Sequence, residues 1–317
     1  MVSVDEFLTR SGGKAKVYKN FRLTAGQELT DKLTIAIPDM HLLEKGPNDD
    51  FLDAQRAKQT LGKRTAHEER FIDFLDFLIE LKSKLKENLE IIQLGDMYDL
   101  WQARGNTNMI ESKYTNVLGL VDRLQTVYVI GNHDIDLWNY YKKKGITFKR
   151  KWRHYVHNKA GEVTVLYEHG FQADFANNQE RWTGVIGREI TKIIGVMEYI
   201  EPDIDLMLGN IWDSISRAFS IYNAGLTPVK DPTGFNTHEY INYYVGVIEK
   251  YRKGQTDDHQ QLLNLVCAVI GHTHQARLVI RPYNGVTYYL MDCGSWVNGG
   301  HEFGIITGNE MTVCQWG

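Results

Sequence analysis

Cysteine is almost missing: Cys267, Cys293 and Cys314 are the only three in 317 residues. They are too few and too scattered for a disulfide framework or a Cys-rich zinc site, and they read as buried or surface thiols in a reducing compartment. Proline is also rare, with 6 residues. Nowhere do the roughly 18 uncharged apolar residues of a membrane span run together. The segment Met1-Val-Ser-Val-Asp-Glu has neither a basic nor an apolar stretch, so no secretory leader is expected and the expected location is cytoplasmic. Positive charge is not in excess: the formal charge is -4 and the pI is near 6.3, which argues against indiscriminate nucleic-acid binding through net charge. What remains is globular. With 43% hydrophobic and 24% charged residues, disordered, collagen-like and low-complexity classes are excluded. A chain this long buries roughly 75% of its unfolded surface and needs no cross-link to hold its core.

Short β-branched runs recur along the chain, at Thr34–Pro38, Glu90–Leu94, Thr126–Ile130, Val163–Tyr167, Val266–Ile270, Leu278–Arg281 and Val286–Leu290. Most lead into clusters of Gly, Asp, Asn or His, as strands do when they present functional loops. Between the first two runs a helix is expected. Thr65-Ala-His-Glu68 has capping-box spacing, and Phe71, Phe74, Leu75, Leu78 and Leu85 follow at helical period. A second helix is expected over about Ile110–Leu124, so the first half reads as βαβαβ with a mainly parallel sheet. The last third reads as consecutive strands, an antiparallel extension or a second sheet. From Trp182 through Ile186, Ile190, Ile193, Met197 and Ile200, then Leu206, Ile211, Ile215 and Phe219, apolar residues repeat at helical spacing. The expectation is one domain over residues 1–317 of class α/β (α+β), with 171–265 a helical insertion or cap.

Five strand-end motifs converge on one kind of chemistry: Asp39-Met-His41, Gly95-Asp-Met-Tyr-Asp99, Gly131-Asn-His-Asp134, His169-Gly170 and Gly271-His-Thr-His274. Any one alone is weak evidence. Together, in order, at the ends of successive strands, they are hard to reach by chance. Asp, Asn and His supply oxygen and nitrogen donors suited to Mn, Fe or Zn. Two metal ions held close together need a shared carboxylate, and Asp96 is the natural bridge. Gly95, Gly131 and Gly271 leave room for close approach. In loops of this kind Asp39 and His41, or His272 and His274, can point into one site while Met40 and Thr273 point elsewhere.

This ordered set resembles the calcineurin-like metallophosphoesterase superfamily, over roughly residues 34–300. The resemblance implies a β-sandwich of two mixed sheets flanked by helices. It also implies two divalent metal ions, Mn first, with Fe, Zn or Mg as alternatives. One would be held by Asp39, His41, Asp96 and His274, the other by Asp96, Asn132, His169 and His272. His133 would contact the phosphate and protonate the leaving oxygen, with Asn132 beside it and Asp134 orienting the His133 ring. The reaction implied is hydrolysis of a phosphodiester or pyrophosphate bond by a hydroxide bridging the two metals. Asp39-Met-His-Leu42, Gly95-Asp-Met-Tyr-Asp-Leu-Trp101 and Gly294-Ser-Trp-Val297 are also similar to the UDP-2,3-diacylglucosamine hydrolase branch, which carries Arg in place of His133 and more often Ser in place of Pro38.

From Lys142 to Lys159 eight Lys and Arg occur without an acid, interleaved with Phe148, Trp152 and Tyr155. Lys149, Arg150 and Arg153 are therefore candidates for the polyanionic part of a substrate, against the alternative of a solvated surface segment. The insertion could cover a lipid chain or pack on its parent domain. Trp101, Trp182 and Trp296 read as packing residues. The expected substrate is a small phosphodiester or pyrophosphate, lipid-linked or nucleotide. The alternatives are a nuclease on DNA or RNA, a phosphomonoesterase or protein phosphatase, and a non-catalytic scaffold, which the filled ligand pattern disfavours. Oligomeric state is not legible.

Overall fold

The computed structural model describes residues 2–23, 27–46, 49–52, 66–134, 150–151, 153–173, 237–255 and 261–317. The chain divides into two compact units, residues 1–169 with 247–317, and residues 170–246. In the second unit the described residues comprise 170–173, with a 3-10 turn at Phe171–Ala173, and 237–246. The periodicity expected from Trp182 to Phe219 lies outside the described residues, as do Thr65, Lys149 and Trp152.

Among its described residues the first unit has twelve strands: β1 (Ala15–Arg22), β2 (Thr30–Ile37), β3 (Leu89–Gln93), β4 (Val127–Val129), β5 (Arg150–Lys151), β6 (His154–His157), β7 (Val163–Tyr167), β8 (Cys267–Ile270), β9 (Arg277–Tyr283), β10 (Val286–Asp292), β11 (Glu302–Gly308) and β12 (Glu310–Trp316). One sheet has the order β1-β12-β11-β2-β3-β4-β5 and the other β6-β7-β8-β10-β9. In the first, β2, β3, β4 and β5 run parallel, the βαβαβ half of the sequence, while β11, β12 and β1 add antiparallel. In the second, β7, β8 and β10 are parallel, with β6 and β9 antiparallel at its edges. Both sheets are mixed, as the resemblance implies.

Strand alternation sorts the apolar residues into two cores. On β2 and β3, Leu33, Ile35, Ile37, Leu89 and Ile91 face a helical layer, while Ala36 and Ile92 face the other sheet. The inter-sheet core is completed by Val129, Val165, Tyr167, Cys267, Val269, Met291, Cys293, Ile306 and Val313. All three cysteines are free and buried.

The helical layer contains α1 (Val4–Arg10), α2 (Ala66–Leu85), α3 (Thr107–Lys113) and α4 (Thr115–Arg123). Helix α2 buries Phe71, Phe74, Leu75, Leu78 and Leu81 along one stripe. Phe74 packs on Trp296, Phe303 and Trp316, so Trp296 is the packing residue expected of it. The helix expected over Ile110–Leu124 is broken at Tyr114, whose ring packs on Phe51 and whose hydroxyl donates to Asp49 at 2.8 Å. At this break Tyr114 takes φ -112°, off helical geometry. A last helix, α5 (Thr237–Arg252), begins in the second unit's residues and ends in the first's. Among the described residues no helix is long and apolar enough to cross a membrane.

Candidate metal centre

Every motif singled out in the sequence leaves the carboxyl end of a parallel strand. Asp39 and His41 follow β2, Asp96 and Asp99 follow β3, Asn132 and His133 follow β4, His169 follows β7, and His272 with His274 follow β8. Three of those strands belong to one sheet and two to the other. The sandwich therefore brings residues from both sheets to one edge, where open α/β sheets place ligands.

The loops are stapled to one another through the backbone. The N–H groups of Met40 and His41 both donate to the Asp96 carbonyl, at 3.0 and 2.9 Å, and Leu42 N–H donates to Met97 O at 2.9 Å. Trp296 N–H donates to the Asp39 carbonyl at 2.8 Å, which is what the late Gly294-Ser-Trp motif does for the site. Close packing leaves no room for side chains at two glycines. A Cβ on Gly131 would lie 2.0 Å from Asp96 Oδ1, and one on Gly271 would lie 2.3 Å from Asp39 Oδ1. His41, Asp96, His272 and His274 all take positive φ, between 50° and 66°. Such backbone is unfavourable for L side chains and gathers at functional sites.

Seven candidate ligands meet. Asp96 Oδ2 lies 3.6 Å from His41 Nε2 and 3.1 Å from His169 Nε2, so one carboxylate oxygen stands between two imidazoles. Asp39 Oδ2 is 3.8 Å from His41 Nε2 and 3.2 Å from His274 Nε2. His169 Nε2 lies 3.0 Å from Asn132 Oδ1 and 3.2 Å from His272 Nδ1. Three ligand triads emerge among the described residues: Asp39 with His41 and His274, Asp96 with His169 and His272, and His41 with Asp96 and His133. The backbone fixes the carboxylates: His133 N–H donates to Asp96 Oδ1 at 2.9 Å, and His272 N–H to Asp39 Oδ1 at 2.8 Å.

These groups fit divalent metal ions. The donors are carboxylate, amide and imidazole, without thiolate. Asp39, Asp96 and His169 are almost wholly buried, and His41 Nε2 is a buried nitrogen without a hydrogen-bond partner among the described residues, facing two carboxylates beyond hydrogen-bond distance. A buried polar atom of this kind is rare unless a ligand completes it. His169 Nδ1 lies 2.7 Å from the Leu94 carbonyl, which leaves Nε2 to the cluster. Charge is balanced internally. Burial would lower both imidazoles, but Asp39 and Asp96 lift His41 to about 9, and Asp96 and Asp39 lift His169 to about 10. Burial would raise the two carboxyls; the imidazoles around each, His169 foremost, together outweigh it and hold them below the usual range.

Asp134, expected to orient the His133 ring, makes its hydrogen bonds to other groups. Its carboxylate accepts from Gly131 N at 2.9 Å, Met97 N at 3.0 Å and the Tyr128 hydroxyl, and burial together with the Asp96 charge raises it to about 6. It ties two site loops together. The carboxylate on the His133 ring is Asp99, with Oδ1 3.2 Å from Nδ1. Asp99 belongs to the second motif, but its partner lies on a different loop, so spacing alone could not assign it. Sequence reasoning also missed Gln93, whose amide brackets Gly95 at 2.7 and 2.8 Å. Among the basic candidates, Arg150 is placed on β5, and the guanidinium of Arg153 is engaged by buried Glu168 and by the Tyr251 hydroxyl at 3.0 Å.

Across residues 34–276 the chain matches the family described as calcineurin-like phosphoesterase. It belongs to that family. Comparison with curated proteins gave no match. As a calcineurin-like phosphoesterase the chain is a metal-dependent hydrolase of phosphate esters, with Asp and His groups able to hold the metal.

Proposed function

We propose that this phosphoesterase hydrolyses a small or lipid-linked phosphodiester or pyrophosphate at a two-metal centre. Asp39, His41, Asp96 and His274 would hold one divalent ion; Asp96, Asn132, His169 and His272 would hold the other. The observation that carries the reading is the position of Asp96 Oδ2 between His41 and His169, where a bridging ligand belongs. The donor set suits Mn, Fe or Zn alike, and manganese, first among the metals the resemblance implies, is the first to try. Such a pair supplies Lewis acidity, acidifying water and neutralising the phosphate oxygens.

The chain's own residues do the rest. Asp99 at Nδ1 leaves Nε2 as the His133 nitrogen that can meet a phosphate and pass a proton to the leaving oxygen. Asp134 acts through the loops it ties, keeping Asn132 and His133 beside Asp96. The net charge of -4 favours a small or lipid-linked substrate over a nucleic acid.

The test is hydrolysis of bis-p-nitrophenyl phosphate and p-nitrophenyl phosphate by metal-stripped protein, with and without added Mn, beside Asp96→Asn. Cleavage restored by Mn and lost in the variant supports the reading, and the faster ester separates diesterase from monoesterase. An Asp96→Asn protein with full metal content and wild-type turnover would overturn it. Salt-sensitive cleavage of DNA or RNA in preference to either ester would replace the small substrate with a nucleic acid.

A further inference from the structure

Trp101 was expected to be a packing residue, yet its indole lies on the ring of His133, with centroids 4.0 Å apart and planes inclined by 26°. Both side chains are only partly buried, so the stack stands at the open face of the site. The turn that carries Trp101 grips His133 at three points. Asp99 Oδ1 meets Nδ1 at 3.2 Å, Leu100 N–H donates to the His133 carbonyl at 3.2 Å, and Trp101 covers one ring face. The turn is itself rigid: Gln102 N–H donates to Asp99 Oδ1 at 3.1 Å, Ala103 N–H to Asp99 O at 3.0 Å, and Gly105 N–H to Leu100 O at 2.9 Å. His41 meets the His133 ring edge-on, with centroids 4.4 Å apart at 81°.

A hydrogen bond at Nδ1 fixes one point of an imidazole but leaves the ring free to swing about it. A flat aromatic surface against one face removes that freedom. We propose that Trp101 is a positioning residue that sets the plane of the His133 ring, so that Nε2 is presented to the leaving oxygen of the substrate. The inference rests on the role proposed for His133. Misplacing a proton donor by an ångström slows the step it serves more than it weakens binding.

The dependence on leaving group makes this testable. A p-nitrophenolate leaves with little help, whereas an alkoxide needs its proton. Trp101→Ala should lower kcat for a dialkyl phosphate ester about tenfold, lower it less for the p-nitrophenyl ester, change KM less than kcat, and leave metal content unchanged. Trp101→Phe should restore most of the loss. In a His133→Gln background Trp101→Ala should add nothing, because the two residues act as one unit. Additive losses, or a change confined to KM, would overturn the inference.

A second readout needs no turnover. In the zinc-loaded protein, the indole ring current should displace the His133 ring protons in a proton–carbon NMR spectrum, the signal being identified by its loss in His133→Gln. Trp101→Ala should return it toward ordinary imidazole values. An undisplaced signal in an active enzyme overturns the inference alone. A displaced signal in a protein that hydrolyses no phosphate ester with any metal overturns the parent reading, and the positioning role with it.

Discussion

Asp99 Oδ1 lies 3.2 Å from Nδ1 of His133, joining the loop after β3 to the loop after β4. The Asp99 side chain is almost fully buried, and although burial would raise its carboxyl, the facing His133 holds it below the usual range. It thus stays a charged acceptor for the ring. Asp99→Asn preserves shape but loses that charge, and should lower kcat about 10²-fold with metal content unchanged. Paired turnover and elemental analysis check this; metal loss without a specific loss of rate would place Asp99 among the ligands.

Metal affinity should rise with pH. In the metal-free protein His41 and His169 are lifted to about 9 and about 10 by Asp39 and Asp96 against the effect of burial, so both are protonated at neutrality. Binding a metal must expel those protons. Each proton released adds a slope of about one in log affinity per pH unit, so Mn affinity should climb from neutral pH to about 10, less steeply above about 9. Calorimetry in two buffers of different ionisation enthalpy would count the protons; a flat affinity would refute the expectation.

The same pair sets the stability of the metal-free fold. A histidine whose folded pKa is raised stabilises fully below its unfolded value, about 6.5, and loses that contribution as pH rises through its folded value. Metal-stripped protein should therefore lose stability between about pH 6.5 and 10, the window that His41 and His169 define. Denaturant unfolding in chelator across that range is the measurement, and a midpoint that stays constant or rises would contradict it.

Two glycines should respond oppositely to alanine. At Gly131 the added Cβ would lie 2.0 Å from Asp96 Oδ1 and 2.5 Å from Asp96 N. Gly131→Ala must move Asp96, and both bound metal and turnover should fall, turnover by at least about 10²-fold. Gly119 is exposed within α4, with nothing within 4 Å of the new Cβ. Gly119→Ala should stabilise the protein by about 0.5–1 kcal/mol through helix propensity, leaving activity unchanged. Thermal unfolding and turnover of the two variants test both statements.

Much of the site was legible because its chemistry is local. Asp39-Met-His41 and Gly271-His-Thr-His274 each carry two ligands within a few positions, although the room that Gly271 leaves is for Asp39 on the other loop. The strands that deliver them were legible too, since β2, β3, β7 and β8 are short, almost wholly buried apolar runs ending in polar loops. Strand β1 was not. It is an edge strand with mostly exposed side chains and no clean alternation, and it pairs with β12 from the opposite end of the chain. A pairing that spans the chain leaves no mark within either segment.

By itself, then, the sequence determined which residue types meet, in what order, and at the ends of which strands, because strand period and ligand chemistry are properties of neighbouring residues. Only the tertiary structure decided their partners. Asp99, not Asp134, meets His133, and Asp134 instead ties Met97 to Gly131. Trp101 covers a catalytic candidate while Trp296 fills the core. Each of these choices depends on how two loops from separate strands lie against each other, and that is settled by the packing of the sheets and the hydrogen bonds between the loops.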